Sequence, residues 1–181
     1  WTISSVQPVR VLLGHHAEVR CAVFHPNATL IASGSDDASL RVWDIQSATS
    51  VRLFCRGGHT AAVCCVSISH GGELLASGGE DRLVALWELD SATLLRRFLV
   101  HSGPVWCVCF SMEDTQLVSA GSDCMLAVWD VVSALPTDPE ATEQSKLLLC
   151  SLFTKSTPLL AARFSRTNVL LASGAYHGDQ K

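Results

Sequence analysis

Three residue types that together suggest acyl-transfer chemistry recur in this chain at fixed spacing. They are a serine that could serve as nucleophile, a histidine that could be its base, and an aspartate that could orient the base. The sets are His15, Ser33 and Asp37; His59, Ser77 and Asp81; and His101, Ser119 and Asp123. The interval from histidine to serine is the same in all three, and so is the interval from serine to aspartate. A tryptophan follows each aspartate, again at one fixed interval, at Trp43, Trp87 and Trp129. An active site needs one such set, so a threefold recurrence with an attendant tryptophan argues against catalysis. The same groups can instead satisfy one another. The indole N–H can donate to serine, the serine hydroxyl to histidine, and histidine to aspartate, in a place where each would otherwise be buried unpaired. The spacing therefore predicts a structural hydrogen-bond network in each unit and no catalytic residue.

The elements that position these residues repeat with them. The steps from Trp43 to Trp87 and on to Trp129 equal the steps from His15 to His59 and on to His101. Gly14-His15 and Gly58-His59 open two of the units, and Trp43-Asp44 and Trp129-Asp130 stand where two of them reach their third strand. A Gly-His…Trp-Asp unit of about 40–45 residues is the signature of the WD-repeat β-propeller. The fold class expected is all-β, an arc of a ring of about seven blades within the 4–8 that propellers use. Each unit reads as four short strands. In the first they are Val19–Phe24, Leu30–Ser33, Leu40–Trp43 and Val51–Phe54. The near-continuous apolar character of the first two strands predicts burial on both faces. No helical period competes.

Unit boundaries fall at 14–57, 58–100 and 101–150, with partial units at 1–13 and 151–181. Trp1 precedes His15 by the same interval as Trp87 precedes His101, so residues 1–13 read as the outer strands of a preceding unit, Val9–Leu13 the last of them. The chain thus reads as a piece of a larger protein. In the last unit Lys155 takes the histidine position and His177 the aspartate position. Ser173 follows Leu159 at the interval that separates Ser33 from Val19, and reads as the retained serine. Propellers close by joining strands from the two chain ends, so strands from an N-terminal region of the larger protein, ahead of this sequence, are expected to complete this unit. Residues 133–146, with two prolines and three acidic residues, interrupt the third unit as an exposed loop, and Leu147–Cys150 follows as its outer strand.

Composition bounds the rest. A net charge of -4 offers no field for nucleic-acid phosphates, so no direct nucleic-acid binding is expected. No apolar run reaches the roughly 18 residues of a membrane span. Among eight cysteines, Cys21, Cys65 and Cys107 repeat at one strand position and read as small buried hydrophobes of a reducing compartment. Cys107 and Cys109 lack companions at ligand spacing, so neither metal nor cofactor is expected. Partner contacts are expected at the rim of the channel, on the residues just after the first-strand valine: Arg20, Cys64 and Trp106. Arg and Trp are enriched in interface hot spots, which singles out Arg20 and Trp106 as partner-binding residues.

The tail carries a further likeness. Leu147-Leu148-Leu149, Thr154-Lys155-Ser156-Thr157-Pro158-Leu159, Phe164-Ser165-Arg166 and Gly174-Ala175-Tyr176 resemble the end of the WD-repeat TBP-associated factors of the general transcription factor TFIID. Phe24-His25-Pro26-Asn27 and Val51-Arg52-Leu53-Phe54 are similar to that family's middle blades. The resemblance implies a nuclear, non-enzymatic scaffold that binds histone-fold TBP-associated factors during transcription initiation. A paralogue in SAGA-type coactivator complexes is similar. Another interaction module, a ubiquitin-ligase substrate receptor, is the alternative. Such receptors often carry Arg three residues after the repeat tryptophan, and here those positions are Gln46, Asp90 and Val132.

Overall fold

The computed structural model describes residues 9–135 and 144–175. Its strands are β1 (Val19–Phe24), β2 (Leu30–Ser35), β3 (Leu40–Asp44), β4 (Thr49–Phe54), β5 (Val63–Ile68), β6 (Leu74–Gly79), β7 (Val84–Glu88), β8 (Thr93–Phe98), β9 (Val105–Phe110), β10 (Gln116–Gly121), β11 (Met125–Asp130), β12 (Leu148–Phe153), β13 (Leu159–Phe164) and β14 (Leu170–Gly174). They form three four-stranded antiparallel meanders, β1–β4, β5–β8 and β9–β12, and a two-stranded sheet, β13–β14. The fold is all-β, an arc of propeller blades. One helical turn, α1 (Gln144–Leu147), precedes β12. It takes in Leu147, which the sequence pattern assigns to the start of the outer strand; the strand begins at Leu148 and runs on to Phe153. Leu147 is buried in the core from that turn.

The sheets stand side by side with an apolar layer between each neighbouring pair. Val42 and Phe54 of the first sheet meet Leu75, Ala85 and Trp87 of the second. Leu86 and Phe98 of the second meet Leu117, Ala127 and Trp129 of the third. Val118 and Leu126 of the third meet Leu159 and Ala162 of the fourth. Each inner sheet therefore has a face turned to the preceding sheet and a face turned to the following one.

This arrangement limits the burial expected from apolar runs. β6 and β10 are enclosed on both faces, because each sheet there has two neighbours. β1 and β14 are exposed along most of their length, since one face of each meets no sheet among the described residues. Val9–Leu13 likewise belongs to no strand, having no described third strand beside it to pair with. Trp1, Tyr176, His177 and most of the 133–146 loop lie outside the described residues.

Backbone details repeat as well. β1, β5, β9 and β13 each carry a register shift at their second residue, a β-bulge that leaves Arg20, Cys64, Trp106 and Leu160 without a partner in the ladder. Bulges re-aim side chains, and here they turn this residue out of the strand's alternation. The turns into the third strands hold Ala38, Arg82 and Cys124 at φ of 61°, 67° and 60°. The same left-handed turn is thus imposed on three different residue types.

Candidate functional site

The structure brings the twelve recurrent residues together as three separate chains of hydrogen bonds, one per four-stranded sheet. In the first, Trp43 Nε1–H donates to Ser33 Oγ at 2.8 Å, Ser33 Oγ lies 2.8 Å from His15 Nε2, and His15 Nδ1 lies 3.0 Å from Asp37. In the second, Trp87–Ser77, Ser77–His59 and His59–Asp81 measure 3.0, 2.8 and 3.0 Å. In the third, Trp129–Ser119, Ser119–His101 and His101–Asp123 measure 2.9, 2.8 and 3.0 Å. Counting donors fixes the protons. A carboxylate can only accept, so each imidazole donates from Nδ1; in the neutral ring Nε2 then accepts the Ser hydroxyl hydrogen, and Ser Oγ accepts the indole N–H.

Each aspartate ties two segments together. Its carboxylate accepts the backbone N–H of His16, Thr60 or Ser102, just after the histidine, and that of Ser39, Leu83 or Met125 across the turn. Burial alone would raise the Asp37 carboxyl, but hydrogen bonds from the Ser39 hydroxyl, the His16 amide and His15 hold it well below the usual carboxylate range. Asp81 is lowered in the same way, burial being outweighed by bonds and charge from His59 and by the Thr60 amide. His101 is pushed below the ordinary imidazole value because burial outweighs the attraction of Asp123.

The order Ser–His–Asp reproduces the contacts of a catalytic triad. The serines, however, are buried in all three sheets, and each Oγ already accepts an indole N–H. Ser77 and Ser119 are fully enclosed, and Ser33, which borders a cavity, has its Oγ engaged by both Trp43 and His15. Among the described residues, no three His, Cys, Asp or Glu side chains gather as a metal-holding group.

The fourth sheet departs from the spacing argument. Its first turn is one residue shorter: Ser165 N–H bonds to the carbonyl four residues on, at Val169, where His25, Ser69 and Ser111 reach five residues on. The register shifts accordingly. Ala172 faces Ala162, as Ser33 faces Ala22 and Ser119 faces Val108. Ser173 instead stands opposite Ala161, as Gly34 stands opposite Cys21. Ser173 does not occupy the serine position of the network; alanine does.

The bulge delivers Arg20 to Asp36, with Nε–Oδ1 at 2.6 Å and Nη2–Oδ2 at 3.0 Å. The acidic partner that Arg20 needs is within the chain. Its guanidinium is raised further by this hydrogen bond and by the charge of Asp36, with Glu80 adding to it. Trp106, half-buried, holds the same bulge position in the third sheet. Contacts between sheets, invisible to a repeat pattern, add to this set. Arg52 reaches Asp90 of the next sheet at 3.0 Å. The His70 and Gly71 N–H groups donate to Asp114, both at 2.7 Å. Each contact spans roughly one repeat, and only an arginine facing an acid one repeat later could have signalled it.

Three consecutive segments, residues 6–44, 50–88 and 92–130, match the model of the family described as WD domain, G-beta repeat, and together they make up most of the chain. The chain belongs to the WD domain, G-beta repeat family. Each matched segment ends at the tryptophan and the acid that follow the network. The WD-repeat chain is 43% identical over 54 residues to transcription initiation factor TFIID subunit 5 of Caenorhabditis elegans, covering 30% of this chain and 8% of that protein. It is 40% identical over 50 residues to human pre-mRNA-processing factor 19, covering 28% of this chain and 10% of that one. A solved structure of U3-55K superposes with a TM-score of 0.81 at 28% identity, over 93% of this chain and 49% of that one. The chain thus spans a tenth or less of these curated relatives and about half of the solved one. It is a WD-repeat protein-interaction module.

Proposed function

We propose that this WD-repeat module is a non-enzymatic scaffold of a nuclear transcription-initiation complex of the TFIID type, holding histone-fold TBP-associated factors against its rim. The observation that carries this reading is the 43% identity with TFIID subunit 5 over 54 residues, together with the resemblance of the tail. The geometry supports a scaffold: the Ser, His and Asp groups able to do chemistry are bound to one another inside the sheets. The rim residues Arg20 and Trp106 are set out of the strand alternation by bulges, where a partner can reach them.

Immunoprecipitation of the protein with mass spectrometry tests the assignment. Recovery of TBP-associated factors is expected; recovery of a ligase adaptor with a cullin overturns it. Arg20→Glu is expected to weaken recovery of those partners while leaving the sheets folded, because an exposed ion pair such as Arg20–Asp36 contributes little to stability. Unchanged co-purification would remove Arg20 from the interface.

A further inference from the structure

Two fourth strands carry an arginine at the same register. Arg52 stands opposite Val42, and Arg96 stands opposite Leu86. Each lies two residues before the phenylalanine that packs on the tryptophan of the next sheet, Phe54 on Trp87 and Phe98 on Trp129. Side chains two apart share a face of a strand, so both arginines are turned to the following sheet. Arg52 meets Asp90 there. Its Nε–H donates to the Asp90 carbonyl at 2.8 Å, and its Nη2 donates to the Asp90 carboxylate at 3.0 Å.

At the next boundary the residue in the place of Asp90 is Val132. Leu89 and Val131, one residue earlier, make the same main-chain bond, to the carbonyls of Glu73 and Thr115. The two turns agree again at Ser91, bonded to Glu88, and Ser133, bonded to Asp130. Beyond that point they part, and the Leu135 N–H bonds back to the Val132 carbonyl at 3.4 Å. The main-chain acceptor that Asp90 gives to Arg52 is thus engaged, and a valine side chain supplies no second one. Among the described residues the Arg96 guanidinium reaches only the carbonyl of its own neighbour, Leu95, at 3.3 Å, and its Nε is enclosed without an acceptor. Arg41 Nε shares that condition, but the Arg41 guanidinium lies over the Trp43 ring. An enclosed donor without an acceptor costs stability, and few are kept. Val132 is itself 58% exposed.

We propose that Arg96 anchors an acidic residue of a partner protein, which enters the boundary between the second and third sheets. That residue holds Arg96 as Asp90 holds Arg52 one boundary earlier. The Arg52 pair also says what kind of anion fits. Asp90 binds through a main-chain carbonyl and a carboxylate together, and an acidic residue of a peptide carries both. A phosphate carries only the anionic half, and a net charge of -4 disfavours a nucleic acid as its source. Exposed Val132 gives an apolar neighbour of the acid a surface to cover. The site is separate from Arg20 and Trp106, which stand on first strands, at the opposite edge of a sheet from the fourth. It rests on the chain being an interaction module and not on the TFIID assignment.

Photo-cross-linking tests this, with p-benzoylphenylalanine in place of Val132 in the full protein in its own cells and the linked peptides read by mass spectrometry. The linked peptides are expected to carry Asp or Glu within a few residues of the link. Arg96→Gln is expected to lower their yield about tenfold, as loss of a charge-assisted bond would. Val132→Asp gives Arg96 the acid that Arg52 has. It is expected to raise the melting temperature and to cut co-purification of the cross-linked partner by a similar factor. No linked partner, linked peptides without an acid near the link, or binding that both variants leave unchanged overturns the proposal. So does an acid of the chain's own on Arg96. That would appear as an Arg96 Nε–H resonance of the isolated protein that moves when Asp138, Glu140 and Glu143 are changed to their amides. A linked protein other than a TBP-associated factor counts against the TFIID reading and leaves the Arg96 site standing.

Discussion

The ring of Phe98 lies tilted at 33° over the indole of Trp129, with centroids 4.5 Å apart, and the two residues belong to different sheets. Trp129 thus has its ring held by the preceding sheet and its N–H held by Ser119 of its own. Any disturbance of the network is felt at the boundary between sheets, where most of the buried apolar surface lies. Trp43 shows the other situation: its N–H is bonded to Ser33, but beside its ring is a cavity and the guanidinium of Arg41, 5.8 Å from the ring centroid.

Asp81→Ala is expected to destabilise far more than the loss of an exposed carboxylate would. It leaves the His59 Nδ1–H and the Thr60 N–H without their acceptor. The expected loss is about 1–3 kcal/mol, read from the urea midpoint at unchanged slope. Normal stability with lost partner binding would make Asp81 a contact residue instead.

Acid is expected to lower the stability of the protein in two stages. His101 is lowered in the folded state, so below about pH 6.5 the unfolded chain takes up a proton that the folded chain refuses. Stability there falls as pH falls. Asp37 and Asp81 are also lowered, so a second loss follows as pH drops through about 4, where the unfolded carboxylates protonate first. Urea midpoints measured from neutrality downward should show both stages. A flat profile down to about pH 5 would exclude the His101 contribution.

The repeated thiols should be slow to react. Cys21 is pushed up to about 12 by burial, and burial raises Cys65 and Cys107 as well. Each Sγ also lies beside a carbonyl of the next sheet: Val63, Val105 and Ala162, at 3.8, 3.7 and 3.2 Å. Iodoacetamide labelling followed by peptide mass spectrometry should modify exposed Cys55 and Cys150 first. Early labelling of Cys65 in folded protein would contradict this.

Gly78→Ala should cost about 1–3 kcal/mol through overpacking. A Cβ there would meet Val105 Cγ1 at 2.6 Å and Cys65 Sγ at 2.8 Å. The third sheet already carries Ala120 at this position, and it faces Leu159 instead of a β-branched valine. Val105→Leu is therefore expected to relieve part of the cost, as a positive coupling in a double-mutant cycle. Strict additivity would show that the two side chains do not compete for space.

The network was legible in the sequence because all four of its residues lie within one unit, at distances set by strand and turn lengths that repeat. Most of the strands were legible for the same reason, whereas the bulge after the first-strand valine was not, since only the ladder register reveals it. The pairing of Phe54 with Trp87 was not, since it crosses a sheet boundary. Phe54 and Phe98 follow the tryptophans of their own units, Trp43 and Trp87, at one interval, but nothing within a unit says that each ring will cover the tryptophan of the next. Exposure of β1 was equally hidden. Val19-Arg20-Cys21-Ala22-Val23-Phe24 is as apolar as β5, and only the neighbouring sheet decides whether that character is buried.

The shortened turn before β14 shows that a repeat can keep its spelling and lose its parity. Counting forward from Leu159 finds Ser173 in the right place, but a strand has two sides, and one residue fewer in a turn moves every later side chain to the opposite one. An even-numbered change in the same turn would have kept the serine on its side. Turn length modulo two therefore decides whether a unit can hold the Trp–Ser–His–Asp chain at all. Drawing Leu170 out of β14 and into the turn, with no residue added, would pair Phe164 with Leu171 and set Ser173 opposite Ala162, on the side where the other three sheets keep their serine.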